Sequence, residues 1–186
     1  MKSEGGMRKG STPVTDHRSL VTAFVALGSN LGDPAKQIRT ALRAVAALPG
    51  TRLVRQSSLY RNPPEGGLKQ PQFINAVAQI ETRAGPRELL EHLLAIERDH
   101  GRARGQPNAS RTLDLDVVLY GDQVVREPGL TIPHPRMLDR AFVLVPLAEI
   151  APDVVVPGAG RAPDLAAKLD ASGLIKLPNA TAGERR

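Results

Sequence analysis

One stretch of the chain, residues 110–121, constrains the fold more than any other because its hydrophobic pattern repeats every two residues. It reads S-R-T-L-D-L-D-V-V-L-Y-G. Side chains alternate between the faces of a strand, so Asp114 and Asp116 are predicted on one face and the other face is predicted to carry Leu113, Leu115, Val117 and Leu119. Like charges on one face repel. The acid pair therefore indicates either a site for a hard cation such as Mg²⁺ or a solvent-facing strand.

The composition is that of a globular protein. Of the 186 residues, 41% are hydrophobic, and none is cysteine, which excludes disulfides and thiolate metal sites. No apolar run reaches about 18 residues, the length that would span a membrane. Four of the six net positive charges lie in residues 1–20 and 176–186, so the body is nearly balanced. We predict one cytoplasmic domain over residues 21–177, with flexible tails at 1–20 and 178–186.

The remaining patterns predict the element order β-α-β-β-α-β. Strands are expected at 21–28, 53–60 and 73–82, and helices after Asp33-Pro34 and at Pro86. This order is typical of a ferredoxin-like βαββαβ core, an α+β fold with an antiparallel sheet. A short helix within 136–150 and another at 164–169 are expected to cover the free face of the sheet. Helices would then lie on both sides, in a three-layer α/β/α arrangement.

Three arginines precede the acidic strand, namely Arg102, Arg104 and Arg111. Guanidinium groups bind phosphate bidentately and stay charged. Each arginine alone could be a solvated surface charge, but beside two carboxylates the three indicate a polyphosphate site. The stretch Gly28–Gly32 could bring backbone N–H groups near an anion, or it could be only a turn.

Four further side chains each allow two interpretations. His134, between two prolines, is either structural or a donor to phosphate. Glu97, at the edge of an apolar helix face, is either a surface carboxylate or an acceptor for a sugar hydroxyl. Phe73 and Phe142 either pack in the core or enclose a flat ligand.

Six short motifs follow one another along the chain. They are Gly28-Ser29-Asn30, Tyr60-Arg61-Asn62-Pro63-Pro64, Phe73-Ile74-Asn75-Ala76, Gly101-Arg102-Ala103-Arg104, Arg111-Thr112-Leu113-Asp114-Leu115-Asp116 and Pro133-His134-Pro135. In this order they closely resemble the 6-hydroxymethyl-7,8-dihydropterin pyrophosphokinase family of folate biosynthesis. The resemblance spans residues 22–157, most of the predicted domain.

The resemblance implies an ATP- and Mg²⁺-dependent transfer of pyrophosphate from ATP to the pterin, with release of AMP. Two Mg²⁺ ions are expected on Asp114 and Asp116, and the implied catalytic residues are Arg102 and Arg111. The implied ATP contacts are Glu97, Arg104, Val117, His134 and Arg140. The implied pterin contacts are Asn62, Phe73, Asn75 and Phe142. Residues 102–110 match a loop that closes over the site, which would exclude water.

The chain departs from the family pattern in places. Asn62 stands where the family often has Thr, Pro135 stands where some members have an aromatic residue, and the closing loop lacks the family's Arg-Trp pair. The alternative interpretation is a ferredoxin-like RNA-binding module, but aromatic residues make up only 3% of the chain, which leaves little for base stacking. We therefore expect ATP and the pterin as partners, no nucleic acid or membrane, and a monomer.

Overall fold

The structure, a computed structural model, describes residues 19–67, 69–101, 110 and 112–178. The strands in these ranges are β1 (Val21–Ser29), β2 (Thr51–Gln56), β3 (Tyr60–Asn62), β4 (Phe73–Thr82), β5 (Asp114–Tyr120), β6 (Val125–Glu127), β7 (Leu130–Ile132), β8 (Val155–Val156), β9 (Gly160–Arg161) and β10 (Ile175–Lys176). The helices there are α1 (Pro34–Ala46), α2 (Pro86–Asp99), α3 (Ala141–Ile150) and α4 (Ala162–Ala166), with 3₁₀ turns at Glu65–Gly67 and Met137–Asp139.

The central sheet is antiparallel. Its strand order is β10-β3-β4-β1-β5, and β2 also pairs with β4. Two small ribbons, β6 with β7 and β8 with β9, lie outside this sheet. The prediction of a mixed α and β fold built on an antiparallel sheet is confirmed. The strand that carries the two acids, β5, ends the strand order beside β1.

The strand register brings distant parts of the sequence to one level of the sheet. Asn75 on β4 pairs with Tyr60 on one side and with Gly28 on the other. Gly28 pairs in turn with Asp114 on β5. Neighbouring strands lie about 4.8 Å apart, so the backbones of Asn75 and Asp114 are roughly 10 Å apart. The residue between them has no side chain, which leaves room above the sheet at this level for the Asn75 amide.

Helix α1 begins where the sequence predicts. The Asp33 carboxylate caps it by accepting a hydrogen bond from the Lys36 N–H at 3.0 Å. Pro34 follows in the first turn, where a helix needs no N–H donor. Helix α2 begins at Pro86 for the same reason. None of the helices in the described ranges has both the length and the apolar character needed to cross a lipid bilayer.

Two hydrophobic clusters cover opposite faces of the sheet. Alternate residues of β1 divide between them: Ala23 and Val25 belong to the first cluster and Phe24 to the second. The first cluster contains buried side chains of α1 and α2, and the second contains those of α3 and α4. Each large apolar side chain buried in this way contributes about 1.5–3 kcal/mol to folding, so the helices are bound to both faces of the sheet.

The prediction of a single strand over residues 53–60 is wrong. The chain forms β2 and β3, separated by residues 57–59. Ser57 explains the interruption: its N–H donates to the Val77 carbonyl at 2.9 Å, and its Oγ accepts from the Val77 N–H at 2.9 Å. A side-chain oxygen thus replaces a backbone carbonyl in the ladder, and the chain leaves the sheet until Tyr60.

The predicted division of faces along β5 is correct only as far as Val117. Successive residues of β1 pair with Leu119 and Val117, which leaves Val118 as an extra residue, a β-bulge. Beyond it the alternation reverses, so that Leu119 packs in the second cluster and Tyr120 in the first. The two acids precede the bulge and keep their alternation.

The C-terminal elements differ slightly from the prediction. The short helix expected within 136–150 is present as the turn Met137–Asp139 followed by α3. The helix expected at 164–169 lies instead at Ala162–Ala166. Pro163 occupies its first turn, where the fixed φ of proline favours helix initiation.

Candidate active site

A cleft of about 520 Å³ opens beside the start of β5. It lies between α2, the first residues of β5 and the segment from Gly129 to Arg140. Its charged and titratable side chains are Arg87, Glu97, Asp114, Asp116, His134, Arg136 and Arg140. Five of these seven are predicted from the sequence as metal or ATP contacts, and the fold brings them together from three separate segments.

Asp114 and Asp116 both line this cleft, and neither is fully buried. Leu113 and Leu115, which alternate with them, are buried in the first cluster. No group of three or more His, Asp or Glu side chains is arranged to hold a metal within the described ranges. Mg²⁺ needs no such group, because it commonly takes one or two carboxylates together with substrate phosphates and water. The acid pair therefore fits a magnesium ion bound jointly with a phosphate ligand.

His134 is held at the wall of the cleft by its backbone, whose N–H donates to the Val118 carbonyl at 3.0 Å. Its Nδ1 accepts the N–H of Arg136 at 3.2 Å. Burial lowers the pKa of His134; the nearby Asp116 carboxylate opposes this, and the Arg140 guanidinium adds to it. The neutral ring then carries its proton on Nε2, which lies 3.7 Å from Asp116 Oδ2. His134 thus presents a hydrogen-bond donor to the cleft.

Glu97 is buried, with 2% of the residue exposed, and is not the surface carboxylate that one interpretation of the sequence allows. Its Oε1 accepts a hydrogen bond from the Leu115 N–H at 2.7 Å. Leu115 lies between the two acids on β5, so this bond connects α2 directly to the acidic part of the strand. Contact of Glu97 with a nucleotide stays a prediction.

Asn62 and Asn75 form a buried amide pair next to this level of the sheet. Asn62 Nδ2 donates to the Pro63 carbonyl at 2.9 Å, so Asn62 Oδ1 is the atom left to accept. It accepts from Asn75 Nδ2 at 2.5 Å. This network determines the orientation of the Asn75 amide. The Oδ1 of Asn75 lies toward Gly28, where an added Cβ would be only 2.8 Å away.

The two predicted aromatic contacts come from different elements. Phe73 begins β4 and shares a strand face with Asn75 and with Val77, which packs in the second cluster. Phe142 lies in the first turn of α3 and packs against that same cluster. Neither ring is fully buried. The guanidinium carbon of Arg140 lies 5.4 Å from the centre of the Phe142 ring, which connects the predicted ATP and pterin contacts.

The motif Gly28-Ser29-Asn30 has a role that neither sequence interpretation predicts. Ser29 and Asn30 are buried, and both bond to the segments around the arginine-rich loop. Ser29 Oγ donates to the Thr112 carbonyl at 2.6 Å, and Asn30 Nδ2 donates to the Pro71 carbonyl at 3.1 Å and to Ser110 Oγ at 3.4 Å. Ser29 and Asn30 therefore bind Thr112 and Ser110, which lie just before β5, to the end of β1, and Asn30 also binds the segment before β4.

The predicted contacts Arg102, Arg104 and Arg111 lie outside the described residues, as does most of the predicted closing loop, residues 102–109. Their roles stay predictions. The same applies to the predicted tails, of which residues 1–18 and 179–186 lie outside the described ranges.

Glu149 on α3 anchors this helix to the edge of the sheet. Its carboxylate accepts hydrogen bonds from Ser58 Oγ at 2.7 Å, Tyr60 Oη at 2.8 Å and Lys176 Nζ at 3.1 Å. Burial alone would raise the pKa of Glu149, but these bonds, led by that of Ser58, outweigh it and lower the pKa below its ordinary value. Burial and the bond to Glu149 raise the pKa of Tyr60. The network connects α3, which carries Phe142, to the strand that carries Asn62.

Comparisons with known proteins identify the family to which the chain is similar. The sequence model of the 7,8-dihydro-6-hydroxymethylpterin-pyrophosphokinase (HPPK) family matches residues 24–152. The 2-amino-4-hydroxy-6-hydroxymethyldihydropteridine pyrophosphokinase of Haemophilus influenzae is 45% identical over 158 residues, which cover 85% of this chain and 99% of that protein. The enzyme of the same name from Pseudomonas aeruginosa is 47% identical over 157 residues, with 84% and 97% covered.

Among solved structures, wild-type Plasmodium falciparum HPPK-DHPS in complex with SDX-DHP superposes with a TM-score of 0.65. Identity is 13%, and the match covers 81% of this chain and 44% of that one, so the chain spans less than half the length of the solved protein. This likeness concerns the fold alone. The family match and the two bacterial relatives carry the assignment: the chain belongs to the 7,8-dihydro-6-hydroxymethylpterin-pyrophosphokinase (HPPK) family of enzymes.

Proposed function

We propose that the chain transfers pyrophosphate from ATP to 6-hydroxymethyl-7,8-dihydropterin in folate biosynthesis. The hydroxymethyl oxygen of the pterin forms a bond to the β-phosphorus. The bond from that phosphorus to the oxygen it shares with the α-phosphorus breaks, and AMP leaves with this oxygen. The hydroxyl proton is released, and the β- and γ-phosphates remain on the pterin.

The observation that carries this proposal is the arrangement across β4, β1 and β5. Asn75 and Asp114 lie at one level of the sheet on either side of Gly28. The amide pair offers fixed hydrogen-bonding groups for the edge of a flat heterocycle, and Phe73 and Phe142 offer two incompletely buried rings for its faces. The acids offer oxygen ligands for a metal and phosphate group. A substrate with a flat ring and a hydroxymethyl group would thus reach from the amide pair and the two rings to the acid pair.

Asp114 and Asp116 would hold magnesium, which would neutralise phosphate charge and activate the attacking oxygen. We expect two ions, as the resemblance implies. His134 would donate its Nε2 proton in a hydrogen bond to a phosphate oxygen, and Arg140 would bind phosphate through its guanidinium group. Arg102 and Arg111 are proposed to stabilise the charge that develops during transfer, with Arg104 as a further ATP contact.

The test is the identity of the nucleotide product. Purified protein with ATP, Mg²⁺ and 6-hydroxymethyl-7,8-dihydropterin should release AMP in equal amount to the pterin diphosphate formed. Release of ADP would contradict the proposal, because it would mean transfer of a single phosphoryl group. Addition of excess EDTA should stop the reaction, and omission of the pterin should leave ATP intact.

Finer points of the sequence interpretation stay predictions. The strand order and the clusters on both faces support a ferredoxin-like core in a three-layer α/β/α arrangement. A monomeric state and a cytoplasmic location are expected for the same chain. Membership of the HPPK family does not support the alternative of an RNA-binding module.

A further inference from the structure

Glu65 makes a contact that none of the sequence patterns predicts. It begins the 3₁₀ turn Glu65–Gly67, on the loop that follows Asn62. Its Oε2 accepts a hydrogen bond from Arg136 Nη2 at 2.9 Å and another from Arg140 Nη2 at 3.5 Å. Both arginines line the cleft that contains the acid pair. A single carboxylate oxygen thus bridges two cationic groups on the proposed nucleotide side.

Arg140 is the more buried of the two arginines, with 14% of its side chain exposed against 52% for Arg136. Within the described part of the chain, its Nε is buried and has no hydrogen-bond partner. Charge-assisted N–H···O bonds are usually about 2.7–2.9 Å long, so its 3.5 Å contact with Glu65 is loose. Arg140 therefore retains donor capacity for a stronger acceptor.

We propose that Glu65 competes with the phosphates of the nucleotide for Arg136 and Arg140, and so limits the affinity of the site for polyphosphate. The proposal rests on the proposed function only for the identity of the nucleotide. A triphosphate offers more charge and more acceptor oxygens than one carboxylate, and it can bind a guanidinium group bidentately. Binding of phosphate at these arginines requires Glu65 to leave them.

The loop around Glu65 can accommodate this departure. Gly66 and Gly67 follow it with φ of 73° and 66°, a conformation that glycine adopts without strain. Apart from its immediate chain neighbours, no described residue has an atom within 4 Å of the position where either glycine would carry a Cβ. Glu65 itself keeps 34% of its side chain exposed, so its carboxylate can move into water with little loss of packing.

The test compares anion affinities of Glu65→Gln and the wild type by isothermal titration calorimetry. The probes are inorganic tripolyphosphate and α,β-methylene-ATP, each with Mg²⁺; the analogue cannot be cleaved where the reaction would cleave ATP. Because an exposed ion pair is weak, its loss should tighten binding of both probes by about two- to fivefold. Pterin affinity should stay unchanged, which separates competition from a structural role. The melting temperature should fall by no more than a few degrees, because only a weak ion pair is lost from the anion-free protein.

The matched control is Glu81→Gln, which removes a partly buried carboxylate paired with Arg52 at another part of the sheet. Its anion affinities should equal those of the wild type. Equal or weaker binding by Glu65→Gln, or the same gain in Glu81→Gln, would overturn the proposal. The proposed function fails separately, if the wild type forms no AMP from ATP and the pterin. Tighter tripolyphosphate binding by Glu65→Gln would support competition even then.

Discussion

Gly28→Ala tests whether the missing side chain at Gly28 is needed to make room for the Asn75 amide. The added Cβ would lie 2.8 Å from Asn75 Oδ1, whereas ordinary contact begins at 3.4 Å, so the amide must move by several tenths of an ångström. Asn75 cannot move freely, because its Nδ2 is bonded to Asn62 at 2.5 Å in a buried position. The methyl group therefore disturbs that hydrogen bond.

The expected loss of stability is moderate. Leaving a buried amide group unsatisfied costs about 1–3 kcal/mol. Alanine recovers about 0.4–1 kcal/mol of this, because it restricts the unfolded chain more than glycine does. The net free energy of unfolding should fall by about 0.5–2 kcal/mol, which lowers the melting temperature by about 2–4 °C per kcal/mol for a protein of this size.

The larger effect is expected on the pterin. If the Asn75 amide binds the pterin edge, displacing it should raise the KM for the pterin about tenfold or more, since 1.4 kcal/mol corresponds to a factor of ten. The affinity for α,β-methylene-ATP should change by less than about twofold, because the ATP contacts lie on other elements. Steady-state AMP assays and calorimetry measure the two quantities separately.

A double-mutant cycle provides the control. In the Asn75→Ala background the new methyl group meets no amide oxygen, so Gly28→Ala should there be neutral or slightly stabilising. An equal loss of stability in both backgrounds would refute the reasoning, because the cost would then arise elsewhere in β1. A wild-type KM for the pterin in the single variant would refute the role of Asn75 in binding.

Four further variants, at three positions, test other parts of the structure. Asp116→Asn should reduce AMP formation by about 100-fold or more by weakening metal binding. It should not destabilise the Mg²⁺-free protein, because it removes one of two like charges. Thermal melting with and without Mg²⁺ separates these two effects. Glu97→Ala should cost about 2–3 kcal/mol in urea unfolding, since it leaves the buried Leu115 N–H unsatisfied, and Glu97→Gln should cost less because it keeps an acceptor oxygen. Glu149→Gln should destabilise the protein at neutral pH. Folding lowers the pKa of Glu149 below its ordinary value of 4.5. The ionised carboxylate therefore contributes its full stabilisation to the fold above pH 4.5, and this stabilisation is lost as the pH falls through the lower pKa of the folded state. The difference between Glu149→Gln and the wild type in urea unfolding should therefore narrow in acid, and a difference that widens would contradict this assignment.

Local patterns were sufficient for much of the secondary structure. Period-two alternation located β4 and the acidic half of β5, and Asp33-Pro34 located the start of α1. The same reasoning failed at Ser57 and Val118. At Ser57 a side chain replaces a backbone group in the sheet, and at Val118 the partner strand imposes a bulge. Both depend on β4 or β1, which are remote in sequence, so a local pattern cannot predict them.

By itself, the sequence determined the family resemblance, the antiparallel α and β fold and the identity of the acid pair, because each follows from residue types at short, fixed spacings. Only the tertiary structure decided what those residues contact. In the folded chain the buried Glu97 accepts a hydrogen bond from the Leu115 N–H, and Asn62 orients the Asn75 amide. Glu65 accepts hydrogen bonds from two arginines that lie about 70 residues away in the chain. Such contacts arise because strand pairing and helix packing bring distant segments together, and their geometry is a property of the folded chain rather than of any one segment.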